Sequence, residues 1–329
     1  MIFIKWGIEQ LAEDIPLPRN WKDHSLKGNE YRRIIILALI TFIGYNKCEV
    51  NTFYGTYDNE KARSVEKQPS PLALHAQALD LYKNYLVVGG MPQAVLEYIS
   101  TKDFNFVLAA QKTINDAYIA DMAKYAAPQE TTKIMAAWSS IPAQLSKENH
   151  KFQYKVIKTG ARAHEYETPL DWLKFAGIIH KCVRVTEGKL PLTAYADNTS
   201  FKVYMMDTGL LCSKFGIAAN VVLSGALSFD AFKGALAENY ICQALTANGF
   251  TPYYWSSPGK AELDFVFQDT QGNIIPLEGK SSDNVKAKSL RQFISLYQPE
   301  YAIRVSAKNF GYENGIKSIP LYALFCLMP

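Results

Sequence analysis

Polar and apolar positions alternate most cleanly near the C-terminus, in Glu262-Leu263-Asp264-Phe265-Val266-Phe267 and again in Leu277-Glu278-Gly279-Lys280. Both runs read as half-buried strands. Between them lie the turn residues Asp269-Thr270-Gln271-Gly272-Asn273. A hairpin symmetric about Gln271 sets Asp264 opposite Glu278, with side chains roughly 5 Å apart at Cβ. Lys280, two residues on, shares the face of Glu278. Around this hairpin the pattern predicts a helix over 230–248, a strand over 253–256, a helix over 285–297 and strands over 301–305 and 321–325. Residues 225–329 therefore read as one α/β unit.

Upstream the period lengthens to that of helices. Leu74, Ala78, Leu81, Tyr82 and Tyr85 share one face of a helix begun at Leu72, and Gly89-Gly90-Met91-Pro92 breaks it before a second over 93–99. Residues 71–103 are thus a helical hairpin. Over 104–212 the spacing predicts helices at 105–125, 130–145 and 165–175, the last capped by Gly177. Strands then follow at Val183–Val185 and Leu190–Tyr195, joined by a turn at Glu187-Gly188. Helices closed by a hairpin suggest a winged helix, a fold that places a helix in the major groove of DNA. Residues 1–70 are poorly patterned and end at a polar stretch before Pro69-Ser70-Pro71. The fold class is α+β.

Charge changes this picture locally. The net charge is only +4, but between residues 147 and 162 Lys147, Lys151, Lys155, Lys158 and Arg162 face a single acid, Glu148. Such a patch suits a phosphate backbone, and equally an ordinary solvated surface. Five dispersed cysteines, with no C-x-x-C, and five dispersed histidines indicate neither a disulfide framework nor a zinc site. The longest apolar run, Ile34 to Tyr45, falls short of the roughly 20 residues that cross a bilayer, and no signal peptide opens the chain. A cytoplasmic location away from membranes is the expectation.

The candidate chemistry lies in the hairpin. Two converging carboxylates, Asp264 and Glu278, suit Mg²⁺ or Mn²⁺, and the Lys280 ammonium beside them can orient a water or hold a phosphate oxygen. Glu238, in the middle of a helix that must pack on the sheet, needs a partner if it faces inward. The plainer alternatives are a solvated strand face and a Glu238 that points to solvent. Glu187-Gly188-Lys189 repeats the tripeptide without a preceding Asp strand, so context carries the signal. Gly279-Lys280-Ser281 ends like a P-loop, but that motif needs glycine where Ile274 stands, and no other match exists. No ATP site is expected.

Several segments together resemble one family. They are Leu81–Val95 with its Gly-Gly-Met-Pro, Asn115–Tyr125, Ile141–Tyr154, Lys202–Leu211 with Met206-Asp207-Thr208-Gly209-Leu210-Leu211, Leu236–Tyr240 and Ala302–Phe325. In this order, across about residues 72–329, they are similar to the C-terminal part of prokaryotic AAA-type ATPases that end in a domain of unknown function. The resemblance implies a winged-helix-like region followed by a PD-(D/E)xK nuclease-like domain, with Glu238, Asp264, Glu278 and Lys280 in its site and Asp264 and Glu278 on the metal. Members of that family begin with a P-loop domain, which this chain lacks. Pro276 is unusual in a central strand. Residues 7–31, with Asp23-His24, resemble a fragment of RelE-superfamily toxins, and no activity is assigned to His24. The resemblance implies a DNA partner and metal-dependent phosphodiester cleavage. The alternatives are a non-catalytic module docking on DNA or protein, and a decayed gene product.

Overall fold

The computed structural model describes residues 72–329 apart from 148–149, 225–229, 258–260, 281–287 and 328–329. The toxin-like segment at 7–31 and the boundary at Pro69-Ser70-Pro71 lie outside the described residues. The chain is α+β: helices come first, and an eight-stranded mixed sheet follows.

Helix α1 (Leu72–Val88) ends where Gly89 takes φ +72° and its N–H bonds Tyr85 O at 2.7 Å. That left-handed turn is the glycine C-cap, and Pro92 opens α2 (Pro92–Thr101) at a position where its missing N–H has no cost. Asp103 caps α3 (Phe104–Tyr125) through Asn105 N, and Pro128 starts α4 (Pro128–Leu145). A one-turn helix, α5 (Tyr154–Ile157), precedes α6 (Ala163–Phe175).

The hairpin that follows is longer than its sequence suggested. β1 spans Ile179–Val185 and β2 spans Ala196–Met205. The expected second strand, Leu190–Tyr195, instead forms the connection, ending in a 3-10 turn at Leu192–Tyr195. Pro191, which has no N–H to give a ladder, sits in that connection. Gly188 packs there against Phe293, with no room for a Cβ, so the second Glu-Gly-Lys is a packed loop.

Short helices α7 (Thr208–Phe215) and α8 (Ala219–Ser224) lead to the central helix α9 (Asp230–Ala247). Strands β3 (Tyr253–Ser256), β4 (Glu262–Gln268) and β5 (Ile274–Gly279) follow, then α10 (Lys288–Tyr297), β6 (Ala302–Ser306), β7 (Gly311–Glu313) and β8 (Ile316–Pro320). The strand expected at 321–325 is a 3-10 helix, Leu321–Cys326. Pro320 ends the ladder, and Asn248 at the end of α9 donates to Leu327 O at 2.7 Å, holding the segment against that helix.

The sheet order is β2-β1-β3-β4-β5-β6-β8-β7. β1 pairs in parallel with β3, Val183 against Tyr253, so the hairpin expected as a wing is one edge of the common sheet. The β4–β5 ladder pairs Phe265 with Leu277 and Gln268 with Ile274, the register centred on Gln271. Pro276 fits its central strand because the β6 ladder begins only at Leu277. Lys280 N–H reaches Val305 O on β6, so by alternation the nitrogen of residue 276 faces the stretch before that ladder starts.

The larger core lies on the α9 face, where Phe265, Phe267, Leu277, Ile303 and Val305 meet Leu236, Tyr240 and Ile241. Leu263, Val266, Ala302 and Ile316 form a second core on the α10 face with Leu290 and Phe293. Polar side chains of α9 tie the sheet to the helices. Asn239 accepts from Met205 N at 2.7 Å and donates to Met205 O, and Gln243 bonds Thr208 N and Tyr85 Oη. No helix among the described residues is long and apolar enough to cross a membrane.

Candidate functional site

A bulge in β4 decides where the acidic residues go. Tyr253 pairs with Val266 and Trp255 with Leu263, so Tyr254 faces both Asp264 and Phe265. The extra residue breaks the alternation. Asp264 is partly buried; its Oδ2 accepts the Gly279 N–H at 2.9 Å, and it stands within electrostatic reach of Glu238, Lys202 and Lys280. Gly279 faces α9, where a Cβ would meet Ile241 Cδ1. Its neighbours Glu278 and Lys280 therefore turn to the α10 face, where their side chains pair at 3.0 Å. Glu278 is 5% exposed and its Oε2 has no hydrogen-bond partner. The structure thus joins Asp264 to Glu238 and pairs Glu278 directly with Lys280, whose charge also reaches Asp264, although the backbone register of the hairpin is the expected one.

Glu238 points inward and is met by three groups. Its Oε2 accepts from His150 Nδ1 at 2.8 Å and Tyr204 Oη at 2.9 Å, and lies 3.6 Å from Lys202 Nζ. Lys202, on β2, is 1% exposed; its Nζ is 2.9 Å from Glu262 Oε1 and stands over the Tyr254 ring. Glu262 also meets Lys151 at 3.4 Å. His150 and Lys151 reach the cluster because the chain there runs against β2, with Lys151 bridging Lys202 and Phe152 N bonded to Phe201 O.

The charges hold one another in place. Burial works against the Lys202 ammonium, but Glu238, Glu262 and Asp264 outweigh it and raise its pKa. Burial likewise opposes ionised Glu238, yet Lys202 and then His150 bring it down to about 2. Asp264 goes the other way. Burial and the negative Glu238 push it up to about 7, against the pull of Lys202, Lys280 and the Gly279 N–H. Lys280 is raised, its burial overcome by Asp264 and Glu278. Among the described residues, no three His, Cys, Asp or Glu side chains stand close enough to hold a metal ion.

Sequence reasoning missed Lys202, Glu262, His150 and Tyr204 as members of the cluster. The available signal was Lys202 itself, a lone charge inside the apolar run Phe201–Met206. Of the basic run, Lys147, Lys155, Lys158 and Arg162 are exposed, while Lys151 is partly buried against Glu262. The exposed four lie around α5 and the start of α6, where Arg162 N bonds Glu165 and closes a capping box.

Two family models match. Residues 79–220 match a domain of unknown function (DUF8612), and residues 233–324 match a second domain of unknown function (DUF4143), a domain associated with AAA-ATPase-like proteins. No curated protein and no solved structure matches the chain.

Proposed function

We propose that this chain is a nucleic-acid docking module with a nuclease-like fold that does not cut, working beside a nucleotide-driven partner of the AAA-ATPase type. The order α9-β3-β4-β5-α10-β6, with Glu238 on the helix, Asp264 on the second strand and Glu278-Gly279-Lys280 on the third, supports the PD-(D/E)xK likeness. The observation that carries the non-cutting reading is Lys202. Its ammonium lies between Glu238 and Glu262, where it supplies the positive charge that a divalent cation would bring to a carboxylate cluster. The donor set does not fit Mg²⁺ or Mn²⁺: hard cations take several oxygen ligands, and Glu278 is on the far face while one Asp264 oxygen is taken by a backbone N–H.

Docking falls to the exposed basic face. Lys147, Lys155, Lys158 and Arg162 can each neutralise a phosphate without leaving an internal acid unpaired, and such contacts give affinity that falls steeply with salt. The partner association rests on the C-terminal match. A labelled duplex titrated with the protein in Mg²⁺ or Mn²⁺ tests the reading, with bound and cleaved DNA measured in one gel. The expected result is a shifted, intact duplex whose binding weakens with salt. A cut duplex, or no shift at low salt, refutes it.

A further inference from the structure

Helix α3 buries one face and leaves the other bare. Val107, Ala110, Gln111, Asn115 and Met122 pack inward, whereas Leu108, Ala109, Lys112, Asp116, Ile119 and Ala120 are exposed. Leu108 is 43% and Ile119 37% exposed, with Phe106 at 53% further along the helix. Large apolar groups on an exposed helix point to a surface that another chain covers. Lys112 and Asp116 form no ion pair among the described residues, although residues four apart are neighbours on a helix.

The face is self-complementary about Ile114. Read outward from that residue, Lys112 mirrors Asp116, Ala109 mirrors Ile119, and Leu108 mirrors Ala120. Two copies of α3 laid antiparallel across a two-fold axis at this height set large apolar groups against small ones at both ends. They also bring each Lys112 to the partner's Asp116, twice. The alanines allow the close axial approach, roughly 8–10 Å, of packed helices. A two-fold interface needs one patch that matches itself, and a charge pattern that reverses sign about a centre is such a patch.

We propose that this face binds a second copy of the same chain, forming a dimer through antiparallel α3 helices. The dimer does not depend on the nucleic-acid reading, and would place two copies of the basic face on one particle. Sedimentation equilibrium of the full chain without nucleic acid tests it, with circular dichroism confirming that each variant is folded. Wild type is expected to dimerise reversibly. Lys112→Asp and Asp116→Lys, each alone, place like charges across the axis and weaken dimerisation at least tenfold. An equal mixture of the two variants restores a heterodimer, and the double variant Lys112→Asp/Asp116→Lys restores the homodimer. A monomeric wild type, single variants that dimerise as wild type does, or a mixture that stays monomeric overturns the proposal.

Discussion

Lys202 is the residue on which the site turns. Buried carboxylates are tolerated when a cation compensates them, and removing one partner of a buried ion pair typically costs about 3–5 kcal/mol. Lys202→Met is therefore expected to lower unfolding free energy by about that amount at pH 7, measured by urea denaturation; an unchanged midpoint contradicts the assigned role. Asp264 gives a second test, through pH. Its folded pKa of about 7 lies above its ordinary value of 3.8, so the folded state holds this proton more tightly than the unfolded state does. The contribution is fully present below pH 4 and is lost as pH rises to 7. Glu238, lowered to about 2, acts oppositely: it stabilises at and above neutrality and loses that contribution as pH falls from about 4.5 towards 2. Asp264→Asn keeps an oxygen for the Gly279 N–H and removes the titration. Its stability relative to wild type should rise between pH 4 and 8 by on the order of 4 kcal/mol, the rise from 3.8 to about 7 being about three tenfold steps in proton affinity, each worth roughly 1.4 kcal/mol. A difference that stays flat with pH contradicts the raised Asp264 pKa. Glu238 was legible only as an acid that would need a partner if it faced inward, since it stands among Leu236 and Tyr240 on a helix that had to pack. Its partners were not, since His150 and Lys202 reach it from segments far away in the chain.

Among the elements, local patterns were legible and long-range pairings were not. The β4–β5 register followed from turn chemistry centred on Gln271, and Tyr253–Ser256 and the helix break at Gly89 fell where expected. The bulge at Asp264 left no trace in the sequence, because it arises from how β4 meets β3 across Tyr254. The final strand was placed one segment late: the apolar run 321–325 serves the α9 face as a 3-10 helix, while the half-polar Ile316–Pro320 carries the ladder. Gly279 is the element-scale test. A methyl there meets Ile241 in a packed core, and overpacking typically costs about 1–3 kcal/mol. Gly279→Ala should destabilise by that amount, and Ile241→Val should recover much of the loss in the double variant. Additive losses in a double-mutant cycle would show that the two residues do not touch.

At the scale of the molecule, the β1–β2 hairpin that follows the helices and the C-terminal strands share one sheet, since β1 and β2 extend the sheet that carries the acidic cluster. The α+β class was legible in the switch from helical to alternating periods. The joining of the hairpin to β3 was not, because parallel pairing across a long connection has no local signature. One consequence concerns docking. Lys151 ties the basic segment to Glu262, so the exposed Lys147, Lys155, Lys158 and Arg162 are presented from a body held to the sheet. Salt dependence of duplex binding measures that face most directly. With four phosphate contacts the slope of log affinity against log salt should be about −3.6, at roughly −0.9 per contact. Replacing all four residues by Ala should bring it near zero while the duplex stays intact in Mg²⁺. A slope unchanged by the four substitutions, or cleavage of the duplex, contradicts the account.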